Sequence, residues 1–176
     1  SYTQGAAAFA SSSNSAAKVI FNGNQVGFGN ITDGYYKGTT SSDGQEIQLT
    51  TVWSYAAAYE HFWTPNLHTA AYGSYINVSH NDTTKTMVCS AAADKTFTGS
   101  VASGCNPDFS MWNVGARTQW DVTKALYLGL DVMYTKINGA TFNANGTATY
   151  TAATGAPAGG YTTANLDAWI GRFRIH

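Results

Sequence analysis

Phe109-Ser-Met-Trp-Asn-Val-Gly-Ala-Arg-Thr-Gln-Trp120, followed after a short gap by Leu126-Tyr-Leu-Gly-Leu-Asp-Val-Met-Tyr-Thr-Lys-Ile137, decides the fold. In the first segment Ser110, Trp112, Val114, Ala116, Thr118 and Trp120 share one side of an extended chain, and Met111, Asn113, Gly115, Arg117 and Gln119 share the other. In the second, Leu126, Leu128, Leu130, Val132 and Tyr134 oppose Tyr127, Gly129, Asp131, Met133 and Thr135. Period-two alternation sustained this long predicts two strands, each with one apolar and one polar face.

The same pattern extends outward. Over 51–63, Trp53, Tyr55, Ala57 and Tyr59 oppose Ser54, Ala56, Ala58 and Glu60. Over 165–176, Trp169, Gly171, Phe173 and Ile175 oppose Ala168, Ile170, Arg172 and Arg174. Residues 67–78 read as a strand without a clear face, and 1–10 as a sixth strand. The connections alternate in length: short at 64–66 and 121–125, long over 11–50, 79–108 and 138–164. Short turns on one side and long loops on the other distinguish a membrane barrel from a meander of uniform hairpins.

Composition agrees. Only 11% of residues are charged, against about 25% in an ordinary soluble domain, while Gly (18), Tyr (11) and Trp (5) are abundant. No run of apolar residues is long enough for a membrane helix, but a barrel strand needs only about 9 to 11 residues. A soluble β-sandwich also alternates, and is the competing architecture. Against it stand the aromatics Trp53, Trp120, Tyr134 and Trp169 near segment ends, where headgroups would meet them.

The reading is therefore all-β: an antiparallel transmembrane β-barrel contributing about six strands from one domain over 1–176. Trp112, Leu128, Leu130, Val132, Trp169 and Phe173 would face lipid. Glu60, Asn113, Arg117, Gln119, Asp131, Arg172 and Arg174 would line the pore. Parity adds a register expectation, because like faces must meet across neighbouring strands: Asp131 should reach Arg117 on one side and Arg172 on the other.

Cys89 and Cys105 enclose a stretch rich in Ala, Ser, Thr and Gly. A disulfide closing one loop suits an oxidising compartment and would contribute about 3 kcal/mol, with two free thiols as the alternative. No GxSxG, HExxH, P-loop or CxxC occurs, so no catalytic, metal or cofactor site is expected and the chain does not read as an enzyme. Net charge is −1, which gives no basic footprint for nucleic acid.

Three stretches carry a resemblance to a known family: Asp167-Ala-Trp-Ile-Gly-Arg-Phe-Arg-Ile-His176; the hairpin running from Trp112 to Trp120 and on through Leu128-Gly-Leu-Asp-Val-Met-Tyr134; and Trp63-Thr-Pro-Asn66 with Tyr72-Gly-Ser-Tyr75. Together they resemble the alphaproteobacterial, Rhizobiales-type general porins. The resemblance implies a sixteen-stranded barrel, a homotrimer and an outer-membrane location in a Gram-negative bacterium. It also implies long loops outside, short turns in the periplasm, and contact with lipid and lipopolysaccharide. The implied function is passive diffusion of small hydrophilic solutes and ions. Such porins usually end on an aromatic residue, whereas this sequence ends on His176, so a few residues are expected to follow. The remaining strands and the constriction loop are expected before Ser1. The alternative function is a small closed barrel or surface adhesin that binds partners through its long loops.

Overall fold

A computed structural model describes residues 1–6, 17–36, 46–89, 97–98, 105–141, 148–150 and 159–176. Among these residues it is all-β apart from one short helix. The strands are β1 (Tyr2–Gln4), β2 (Ala17–Asn22), β3 (Gln25–Asn30), β4 (Gly34–Tyr36), β5 (Ile47–Leu49), β6 (Thr51–Thr64) and β7 (Leu67–Ser79). After helix α1 (Asp82–Cys89) come β8 (Phe97–Thr98), β9 (Phe109–Thr123), β10 (Leu126–Asn138), β11 (Ala148–Tyr150), β12 (Gly159–Thr163) and β13 (Leu166–Ile175).

The long strands build one antiparallel wall in the order β1-β6-β7-β9-β10-β13. Two-residue turns, Pro65-Asn66 and Lys124-Ala125, join its two hairpins. Both close alike: the amide of Asn66 donates to Thr64 Oγ1 (3.3 Å) and that of Ala125 to Thr123 Oγ1 (3.2 Å), a local bond that fixes a tight reversal. β1 is shorter than the strand expected over 1–10, whose later residues lie outside the described ones.

The long connections contain structure that their composition does not announce. Segments from three of them pair as β2-β3-β12-β11-β8, with β3 and β12 parallel, and β4 pairs β5. The connection 79–108 opens with α1 instead of irregular chain. Asn81 supplies the helix cap, its Oδ1 accepting from the Thr84 amide at 2.8 Å. Cys89, the last helical residue, is bonded to Cys105, with Cα atoms 5.8 Å apart. Beside that staple, the Asp108 carboxylate accepts from the His80 amide (2.9 Å), lies 3.1 Å from His80 Nδ1, and pairs with Lys85 Nζ at 2.7 Å. Tyr35 meets the His80 ring edge-on at 5.6 Å. Burial pushes the His80 imidazole below its ordinary pKa, outweighing the opposing pull of Asp108.

Candidate channel wall

Register sorts the wall's side chains onto two faces. Asp131 lies opposite Arg117 on β9 and opposite Arg172 on β13. Gly129 lies opposite both Gln119 and Arg174, Thr135 opposite Asn113, and Glu60 opposite Ala70, which in turn faces Arg117. All seven residues expected at the pore therefore share one face. By the same pairings Trp112, Leu128, Leu130, Val132, Trp169 and Phe173 share the other.

The apolar face is open. Trp169 is 71% exposed, Phe173 64%, Leu130 55% and Val114 51%. Isolated exposed apolar residues are ordinary, but a band of them on β6, β9, β10 and β13 needs an apolar medium or a partner. Aromatic rows edge the band. At the long-connection end, ring centroids of Trp53 and Tyr75 lie 4.9 Å apart, those of Trp112 and Tyr134 5.2 Å, and those of Tyr134 and Trp169 5.0 Å. Toward the short turns stand Tyr59, His61, Trp63 and Trp120, with His61 and Trp63 at 4.5 Å. From Trp53 to Trp63 the strand runs roughly 33 Å. Tilted by about 40°, it covers about 25 Å of depth, the height of an apolar barrel band between its aromatic girdles.

The polar face is organised around Asp131. Tyr72 donates its hydroxyl to Asp131 Oδ1 at 2.7 Å, and Arg174 Nη2 lies 3.6 Å from Oδ2. Tyr72 reaches β10 from β7 by lying over Gly115 on the intervening β9, where a Cβ would come within 2.7 Å of its ring. Arg172 lines the same small cavity with Tyr72, Asp131, Met133 and Ile170. Arg117 turns along its own strand, donating to Gln119 Oε1 at 2.5 Å, and Gln119 donates onward to Asp121 at 2.9 Å. Elsewhere on this face Asn113 donates to Ser74 Oγ at 2.8 Å, and His68 Nε2 lies 3.6 Å from Glu60.

The Cα register around Asp131 agrees with the parity argument, while the ion pair does not. Asp131 pairs with the diagonal Arg174 on one carboxylate oxygen, while Tyr72 takes the other and Arg117 turns to Gln119. Tyr72 was not among the expected pore residues, since 67–78 showed no clear face. The available signal was Gly115, a glycine inside a strand where another group comes close.

An antiparallel wall with one exposed apolar face and one charged face defines the class, a strand-built membrane wall. A family described as a porin subfamily matches residues 4–165, and the chain belongs to that family. Membership makes it part of a porin-like outer-membrane channel, and a channel instead of an enzyme. No curated protein and no solved structure matches the chain.

Proposed function

We propose that the charged face lines a water-filled lumen through which small hydrophilic solutes and ions diffuse passively, and that the aromatic-edged face meets lipid and, toward the long connections, lipopolysaccharide. The observation that carries this reading is the division of one wall into two unlike faces: the Asp131 cluster faces one way, and Trp169, Phe173 and Leu130 face the other, exposed among the described residues. β1 and β13 are the edges of the wall among the described residues, and an unpaired edge is too costly in a bilayer, so both edges need a pairing partner in the membrane. The resemblance of 167–176 and of the 112–134 hairpin to Rhizobiales-type porins supports sixteen strands and a trimer. It also supports long connections outside and short turns in the periplasm.

Arg117, Arg172 and Arg174 surround Asp131, while Glu60 and Asp121 lie further out on the same face, so the positive field that favours anions is confined to the neighbourhood of Asp131. The test is a planar-bilayer recording in a salt gradient. Steps of conductance that scale with bulk salt and a reversal potential on the anion side are expected, moving toward cations in Arg117→Gln/Arg172→Gln. A protein that inserts without conducting contradicts the channel, and an unmoved potential reduces the arginines to scaffolding.

A further inference from the structure

The largest buried apolar cluster of the described residues lies on the polar side of the wall. Val52, Ile76, Val78, Phe109, Ile137 and Leu166 are all buried, and all sit on the Asp131 face at the ends of β6, β7, β9, β10 and β13 that lead into the long connections. Apolar side chains there cannot face water; Ile31, just after β3, joins the cluster, and Ile20 of β2 packs against it.

β3 crosses the wall strands. A Cβ on Gly29 would stand 2.2 Å from the Phe109 ring on β9; one on Gly27 would stand 2.4 Å from Ile137 on β10 and 3.3 Å from Leu166 on β13. Followed backwards, β3 therefore runs over β9, then β10, then β13, with Gly29 and Gly27 at the close approaches to their side chains. Backbone bonds fasten it at both sides of that crossing: the Ala140 amide donates to Phe28 O at 2.7 Å, and the Ala164 amide to Val26 O at 2.9 Å. Val26 and Phe28, which alternate with the glycines, are buried too, so β3 is covered by protein on both sides.

Resting on the channel reading above, we propose that the β2–β3 hairpin is a strap laid across the inner face of the barrel, a second narrowing of the lumen at its long-connection end. A second layer of sheet takes about 10 Å from the width it covers. The glycines let the strap lie close, and the next residues along it, Asn22, Gly23, Asn24 and Gln25, are exposed and uncharged. This end therefore sorts solutes by size and hydrogen bonding, while the arginines lower in the lumen act on charge.

The test uses the intact protein in planar bilayers and proteoliposomes, with the Cys89–Cys105 disulfide left oxidised. Asn24→Cys should conduct as the parent does until a bulky thiol reagent is attached; conductance should then fall by roughly a third or more, with uptake of larger sugars slowed most. Labelled protein conducting like the parent overturns the strap. A parent that does not conduct at all instead overturns the channel reading. Gly29→Val should unseat the hairpin and raise conductance, with barrel assembly checked by heat-modifiable gel migration. Should that variant fail to assemble, the labelling result still decides.

Discussion

Leu130 and Ile137 stand on the same strand and bury themselves by opposite rules. Leu130, at mid-wall, is 55% exposed and lies on the face away from the charges; Ile137, near the long connections, is fully buried and lies on the face that holds them. On the proposed reading the mid-wall hides its apolar groups in the surrounding lipid, whereas the far end hides them beneath its own chain. Alternation thus shows which residues share a face, but what covers that face decides the medium.

The sharpest break between the two regions comes from truncation at the far end. Ile137→Ala should cost about 2 to 5 kcal/mol, because a buried side chain is removed from a filled site; equilibrium unfolding in detergent or lipid measures it. Leu130→Ala should cost far less under the same conditions, and equal losses would place both residues in one protein core. Next in size is Leu130→Arg, expected to destabilise by about 2 to 4 kcal/mol in bilayers if the position lies near the midplane. The same change in a soluble sheet's solvent face would be nearly neutral, so a small effect contradicts the membrane assignment.

On the polar face, Tyr72→Phe removes one charge-assisted hydrogen bond from Asp131 and should cost about 1.5 kcal/mol. Freed from that bond, Asp131 should turn toward Arg117 or Arg172, the partners its register offers. A charge-reversal pairing experiment between 131 and 117, performed with and without Tyr72, reads that change as a coupling that grows when the tyrosine is absent.

The smallest effect expected is that of acid on the far end. The folded-state pKa of His80 lies below the unfolded value of about 6.5, so its stabilising contribution is complete above that value and is lost as pH falls through the folded one. The groups acting on the ring are Asp108, Lys85 and Tyr35. Hydrogen exchange around α1 should therefore quicken on acidification below about pH 6, while mid-wall amides stay protected. In His80→Gln, which keeps a donor for Asp108 without titrating, that dependence should weaken.

The same comparison explains what was legible in the sequence. Where one face meets a uniform medium, as along 109–120, 126–137 and 165–176, polarity repeats every second residue and fixes strand, face and register parity together. Along 67–78 the faces mix Tyr72, Ser74 and Ile76 with Ala71, Gly73 and Tyr75, and alternation fails because Tyr72 serves a distant carboxylate and Ile76 a local core. The second sheet was not legible because its strands are short and come from three connections. One of its pairings is parallel, and no local pattern encodes partners so far apart in sequence. Gly27 and Gly29 serve as close-contact points, which a glycine in a long connection does not by itself announce. The disulfide was legible from its spacing and compartment; the helix beside it depends on an Asn81 cap that resembles any polar loop residue.

The central claim, that one wall separates lipid from a water-filled lumen, is tested most directly by consecutive cysteines along β13. Gly171→Cys, Arg172→Cys, Phe173→Cys and Arg174→Cys are each reconstituted in vesicles and treated with a charged, membrane-impermeant thiol reagent. Positions 172 and 174 should react and lower conductance, whereas 171 and 173 should stay unmodified. Phe173 is 64% exposed on the chain itself, so only lipid or a neighbouring subunit can protect it. Reaction at all four positions, or at 171 and 173 alone, would contradict the division.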